Sequence, residues 1–261
     1  TKAGVIELEV LRSVVQTRGN EIAVISIMHS NNELGSIQPI SEIVKIAGNI
    51  PVHTDAVQSF GKVEFDFAAL DVTAATISAH KIGGPLGVAA LVLKRGLDLT
   101  PVLHGGGQER EIRSGTLNAP AIVAFTAAAE YAIANMNKNF KQIRELRDYF
   151  IAGLKKCVPD VSINSISDPA LPGIVNATFP GTESDALLLL LDTEGISASA
   201  GSACSAGVPR PSHVLVALGL SESDADASLR ISIGTTNTKS EIDQVLAVMP
   251  SVVERARNAF V

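Results

Sequence analysis

The chain has 261 residues, 46% of them hydrophobic, and its 21 basic and 27 acidic side chains leave a net charge of −6. That length buries one large core or two smaller ones, and we expect two domains. The acidic balance, with no basic run longer than a pair, argues against nucleic acid as a partner.

The opening Thr1-Lys2-Ala3-Gly4 shows neither the basic nor the apolar region of a signal peptide, so a soluble, cytoplasmic chain is expected. Val5 to Val15 reads as a helix, and the apolar Ile22 to Met28 as the first strand. Asn31-Asn32-Glu33-Leu34-Gly35 follows that strand. It is either an Asn-rich turn or the source of an amide for a ligand. Ser41 to Gly48 reads as a helix capped at Ser41 and Glu42, with Ile43, Val44 and Ala47 as its apolar stripe.

Further strands are expected at Pro51 to Thr54, Val72 to Ile77 and Val88 to Leu93, which gives the α/β pattern of a mostly parallel sheet. Asp55 stands at the carboxyl end of one of these strands, where open α/β sheets bind ligands, although a carboxylate there also serves as a helix cap. Lys81, in Ser78-Ala79-His80-Lys81-Ile82-Gly83-Gly84-Pro85, stands at the end of another. A lysine and a carboxylate projecting into one crevice suit pyridoxal phosphate: the amine condenses with the aldehyde and the carboxylate keeps the pyridine nitrogen protonated. His104-Gly105-Gly106-Gly107 is a Gly-rich loop, followed by Arg113-Ser114-Gly115-Thr116. Without a Gly-x-Ser-x-Gly elbow, an esterase oxyanion loop is rejected.

From Asn118 to about Lys156 the chain is strongly helical, and we place the domain boundary within it: 1–137 for the large domain and 138–261 for the small one. The small domain should contain strands at Ile174 to Phe179, Ile196 to Ser199 and Leu229 to Ile233. Its helices are expected near Glu183 to Leu191, Pro211 to Leu218 and Lys239 to Ala259. Leu187 to Leu191 is the greasiest run, but Asp185 and Asp192 bracket it far short of the ~20 residues a membrane span needs.

Only Cys157 and Cys204 are present. No Cys-x-x-Cys spacing points to zinc or a redox pair, and a reducing compartment disfavours a disulfide between the two. Cys157 ends an amphipathic helix and reads as an inert core thiol. Cys204, within Gly201-Ser202-Ala203-Cys204-Ser205-Ala206-Gly207, sits among small residues and reads as reactive. Arg230 lies within a strand, either as a structural ion pair or as a fork for a substrate carboxylate.

In this order and spacing, Asn31-Asn32-Glu33-Leu34-Gly35, Asp55-Ala56-Val57-Gln58, Ser78-Ala79-His80-Lys81, Arg113-Ser114-Gly115-Thr116, Gly201-Ser202-Ala203-Cys204 and Ser228-Leu229-Arg230 resemble a cysteine desulfurase. That family belongs to the class-V aminotransferase-like pyridoxal phosphate enzymes of fold type I, with an α/β large domain and a smaller α+β domain. The resemblance implies that Lys81 holds the cofactor as an internal aldimine, Asp55 pairs with its pyridine nitrogen, and Gln58 bonds its phenolic oxygen. Ser78 and His80 would bind phosphate, and Thr116 the phosphate of the neighbouring subunit in a homodimer. Asn32 and Arg230 would orient the L-cysteine carboxylate. Lys81 would move the α-proton, and Cys204 would take the sulfur as a persulfide, leaving alanine.

The small-residue loop around Cys204 resembles the iron-sulfur-assembly type. An iron-sulfur scaffold or another sulfur acceptor is therefore implied as partner, with transient cluster ligation by Cys204. Ala200 and Leu86 depart from the family's usual serine and lysine. The resemblance also implies that about the first third of a typical member, including the histidine that stacks on the ring, is not in this chain. Selenocysteine lyase, another class-V enzyme and a catalytically silent fragment are the alternatives.

Overall fold

The computed structural model describes residues 1–165, 168–201 and 211–259. The chain divides into two compact units, one built from Glu7–His29 and Pro39–Met136, the other from Thr1–Ile6, Ser30–Gln38 and Asn137–Val261.

The first unit begins with α1 (Leu8–Arg18) and β1 (Ile25–Met28), then α2 (Ile40–Ala47), β2 (Val52–Asp55), α3 (Phe67–Leu70), β3 (Ala74–Ser78) and β4 (Ala89–Leu93). Its sheet runs β1-β2-β3-β4, with β1, β2 and β3 parallel and β4 antiparallel to β3. His53 ties the three parallel strands together, Nδ1 to Ser26 Oγ at 2.8 Å and Nε2 to Thr76 Oγ1 at 2.9 Å. The helix expected to be capped at Ser41 and Glu42 instead starts at Ile40, after Pro39 and without a side-chain cap. Burial of Ile40, Ile43 and Ala47 decides its position.

The chain then enters α4 (Ala119–Cys157), where Asn118 Oδ1 accepts from the Ala121 N–H at 3.2 Å and Pro120 is tolerated in the first turn. Among the described residues, α4 is the one helix long and apolar enough, by length and composition, to cross a membrane. Two of its alanines, Ala128 and Ala132, pack on the first unit, while Val123, Tyr131 and Ile133 are exposed. A Cβ at Gly61 would stand 2.8 Å from Ala132 Cβ, and one at Gly84 would stand 3.2 Å from Ala128 Cβ, so glycine lets two turns of the first unit press on this helix.

The second unit holds the rest of α4, then β5 (Ser162–Ile163), β6 (Ile174–Thr178), α5 (Ser184–Thr193), α6 (His213–Ala217), α7 (Glu222–Asp226), β7 (Ser228–Ser232) and α8 (Lys239–Arg257). Its antiparallel sheet is ordered β5-β6-β7. Phe150 and Leu154 from α4, Val175 and Phe179, Leu187 and Leu191 from α5, and Met249 and Val253 from α8 form its core. Each such side chain contributes about 1.5–3 kcal/mol of burial. Leu187 and Leu191 lie one turn apart on the buried face, whereas Leu189 is 68% exposed. A capping box of Thr238 and Glu241 starts α8.

The stretch Ile196 to Ser199, expected as a strand, makes one bridge among the described residues, Ser199 to Arg230. Gly195, in the left-handed region, and Ala200-Gly201 bracket it too closely for a ladder to extend.

Candidate active site

β2 and β3 are adjacent and parallel, with Asp55 opposite Thr76, so their carboxyl ends lie side by side. Asp55 is the last residue of β2 and is exposed. Its Oδ1 accepts from the Val57 N–H at 2.9 Å, and the Ala56 N–H donates to the Thr76 carbonyl at 2.9 Å. The carboxylate thus both shapes the turn and projects from it.

β3 ends at Ser78, and residues Ala79–Ile82 form one 3₁₀ turn. Lys81 is therefore inside this turn, not on the strand. Gly83 closes the turn at φ 82°, and the Gly84 N–H donates to the Ala79 carbonyl at 2.9 Å. A Cβ on Gly84 would stand 2.9 Å from Ala79 Cβ, so glycine permits this tight return. Buried Ser78 and exposed His80 are joined, Oγ to Nδ1, at 2.7 Å.

Thr116 and Arg113 are exposed, in a segment beside the turn Glu109–Glu111, whose three non-glycine residues all have positive φ. Gln108 Oε1 accepts from the Gly115 N–H at 2.9 Å, and the Gly107 N–H donates to Ser114 Oγ at 3.4 Å. The triple-glycine loop after His104 is thereby joined to the segment leading to Thr116.

The second unit brings Asn32 and Arg230 together. Asn31 is buried, and its Oδ1 accepts from the Glu33 and Leu34 N–H groups at 2.9 Å each. Asn31 is therefore the turn former of the pair. Arg230 Nη1 donates to the Asn32 main-chain carbonyl at 3.2 Å, while Arg230 Nε is buried with no hydrogen-bond partner among the described residues. Such a vacant donor on a planar fork suits a carboxylate. Cys204 lies outside the described residues. Cys157 is partly buried at the end of α4, and desolvation pushes its thiol pKa up, in keeping with an unreactive thiol.

Two buried groups and one half-buried lysine escaped the sequence reading. Glu33 is 2% exposed and accepts from Ser212 Oγ at 2.5 Å. His29 is buried, its Nδ1 2.7 Å from Ser59 Oγ and its ring edge-on to Phe65, and desolvation lowers its pKa. Lys62 donates to Gln58 Oε1 at 3.3 Å, and its pKa falls to about 8 through desolvation first and the Lys81 charge second. Neither local periodicity nor a motif marks His29 or Lys62, and Glu33, although it stands inside the Asn31-to-Gly35 motif, reads there as a polar turn residue.

One amine, one carboxylate, one amide and a hydroxyl-imidazole pair thus share one edge of the first unit. Their chemistry fits pyridoxal phosphate, which requires an amine for its carbonyl, an anion for its ring nitrogen and donors for its phosphate.

Residues 1–245 match the family described as aminotransferase class V. The crystal structure of a NifS-like protein from Rickettsia africae superposes with a TM-score of 0.89 at 35% identity, covering 97% of this chain and 68% of that one. The architecture is the α/β arrangement of fold-type-I pyridoxal phosphate enzymes. The chain belongs to the class-V aminotransferase family. It is 43% identical over 259 residues to an IscS-like cysteine desulfurase of Mycobacterium tuberculosis, covering 98% of this chain and 66% of the relative. It is 38% identical over 259 residues to the cysteine desulfurase NifS of Azotobacter vinelandii, covering 98% and 64%. The chain therefore spans about two thirds of the length of these relatives.

Proposed function

We propose that this chain is the part of a cysteine desulfurase that carries the cofactor lysine and the sulfur-accepting cysteine. The observation that carries the reading is the delivery of Asp55 and the Ser78-to-Lys81 turn to neighbouring ends of two parallel strands. The similarity to named cysteine desulfurases supports the choice of reaction.

In this reading Lys81 Nζ holds pyridoxal phosphate, Asp55 faces its ring nitrogen, Gln58 its phenolic oxygen, and Ser78 and His80 its phosphate. When bound, the cofactor supplies an electron sink for charge developing at the substrate α-carbon. Arg230, with Asn32, orients the carboxylate of L-cysteine. Lys81 Nζ moves a proton at the α-carbon. The Cys204 thiolate attacks the substrate sulfur: an S–S bond forms, the C–S bond breaks, and its electron pair stays on carbon, which is protonated to give alanine. Cys204 is left as a persulfide, and no outside oxidant is required.

Thr116 serves the phosphate of the neighbouring subunit in a homodimer, and the Cys204 persulfide is passed to an iron-sulfur scaffold or another acceptor protein in the cytoplasm. The test uses the native protein that carries this chain, reconstituted with pyridoxal phosphate and given L-cysteine and a reductant. Sulfide and alanine are expected in equal amounts, with the visible band of the bound cofactor abolished in Lys81→Ala. A normal band in Lys81→Ala, or no sulfide from the wild type, would overturn the reading.

A further inference from the structure

Gln58 offers two chemically opposite ends to whatever lies beside it, an accepting oxygen and a donating NH₂. Lys62 takes the oxygen, at 3.3 Å. The geometry around this contact is fixed from both sides. The Lys62 N–H donates to the Ser59 carbonyl at 2.9 Å, and the Ser59 N–H to the Ala56 carbonyl at 3.0 Å, so Gln58 and Lys62 belong to one hydrogen-bonded turn that starts at Ala56, directly after Asp55. Gly61, at φ 72°, faces the lysine turn: a Cβ there would stand 3.2 Å from Ile82 Cγ2. The turn carrying Lys62 is thus packed against the residue that follows Lys81.

We infer that Lys62 is a positioning residue for pyridoxal phosphate, pinning the Gln58 oxygen so that the Gln58 NH₂ points to the cofactor's phenolic oxygen. The inference rests on the assignment of this edge to pyridoxal phosphate and adds a residue to it. Without Lys62 the amide can rotate and offer its oxygen to another oxygen, which turns an attraction into a repulsion. An ammonium and a neutral amine both donate N–H to Gln58, so the role survives the lowered pKa of this half-buried group.

The test is a double-mutant cycle of Lys62→Met and Gln58→Ala in the native protein carrying this chain, read by pyridoxal phosphate affinity and the position of its visible band. Each single variant is expected to weaken affinity about fivefold, the worth of one hydrogen bond, and to move the band. The double variant is expected to match the singles, because Lys62 acts only through Gln58. Lys62→Gln, which keeps an N–H donor and guards against a folding defect in Lys62→Met, is expected to restore the wild-type band. Additive losses in the double variant, or an unmoved band in Lys62→Met, would overturn the inference. Loss of the assignment itself would be recognised separately, by a visible band that survives Lys81→Ala.

Discussion

Arg230 Nη1 donates to the main-chain carbonyl of Asn32 at 3.2 Å, across 198 positions of sequence, while its Nε is buried without a partner among the described residues. One bond fixes the guanidinium and leaves a donor unspent. A buried donor left empty costs about 1–3 kcal/mol, so filling it with a substrate carboxylate recovers that energy on binding. Arg230→Gln is therefore expected to raise KM for L-cysteine by roughly tenfold to a hundredfold, the worth of a charge-assisted pair. Arg230→Lys should not rescue it, since an ammonium lacks the planar fork. Steady-state kinetics decide the matter: an unchanged KM in Arg230→Gln would remove this residue from the substrate site.

Glu33 and Ser212 are 179 positions apart in sequence, yet the hydroxyl donates to the buried carboxylate at 2.5 Å. Ser212 also caps α6, its Oγ accepting from the Leu215 N–H at 3.3 Å. Ser212→Ala removes both contacts and is expected to lower unfolding free energy by about 1–3 kcal/mol in urea titrations. Ser212→Thr keeps the hydroxyl and should lose less. Equal losses in the two variants would show that the hydroxyl contributes nothing.

His29 is buried with a pKa lowered by desolvation, so the folded state disfavours its protonated form. Below about pH 6.5, the ordinary histidine value, the unfolded chain binds more protons at this position than the folded one. Stability linked to His29 is then complete above that pH and is lost as pH falls toward the lowered folded value. His29→Gln has no such titration. The difference in unfolding free energy between wild type and variant should therefore shrink on acidification from about pH 7 to about pH 5. A difference independent of pH would contradict the assignment of a buried neutral imidazole.

Asp55 and the Ser78-to-Lys81 segment were legible because they directly follow apolar, β-branched runs, and such runs fold as strands whose ends carry the next polar residue. The long helix was legible for a different local reason, its alanine-rich composition and high helix propensity. Lys62 and Glu33 were not, because a charged residue directly after a glycine or an asparagine reads as solvated surface. Their surroundings follow from contacts the local pattern does not encode: Ser212 meets the buried Glu33 from far along the chain, and Gly61, beside the half-buried Lys62, packs on Ile82. β5, only two residues long, carries too little pattern to see. Ile196 to Ser199 has strand-like composition, but among the described residues it provides a single bridge.

The central claim is that sulfur leaves L-cysteine on Cys204, and mass spectrometry of the cofactor-loaded native protein tests it most directly. After brief treatment with L-cysteine and no reductant, the peptide containing Cys204 should gain a single sulfur atom, removable by a thiol and absent in Lys81→Ala. Wild-type alanine release from Cys204→Ala, or added sulfur on Cys157 in place of Cys204, would contradict the account.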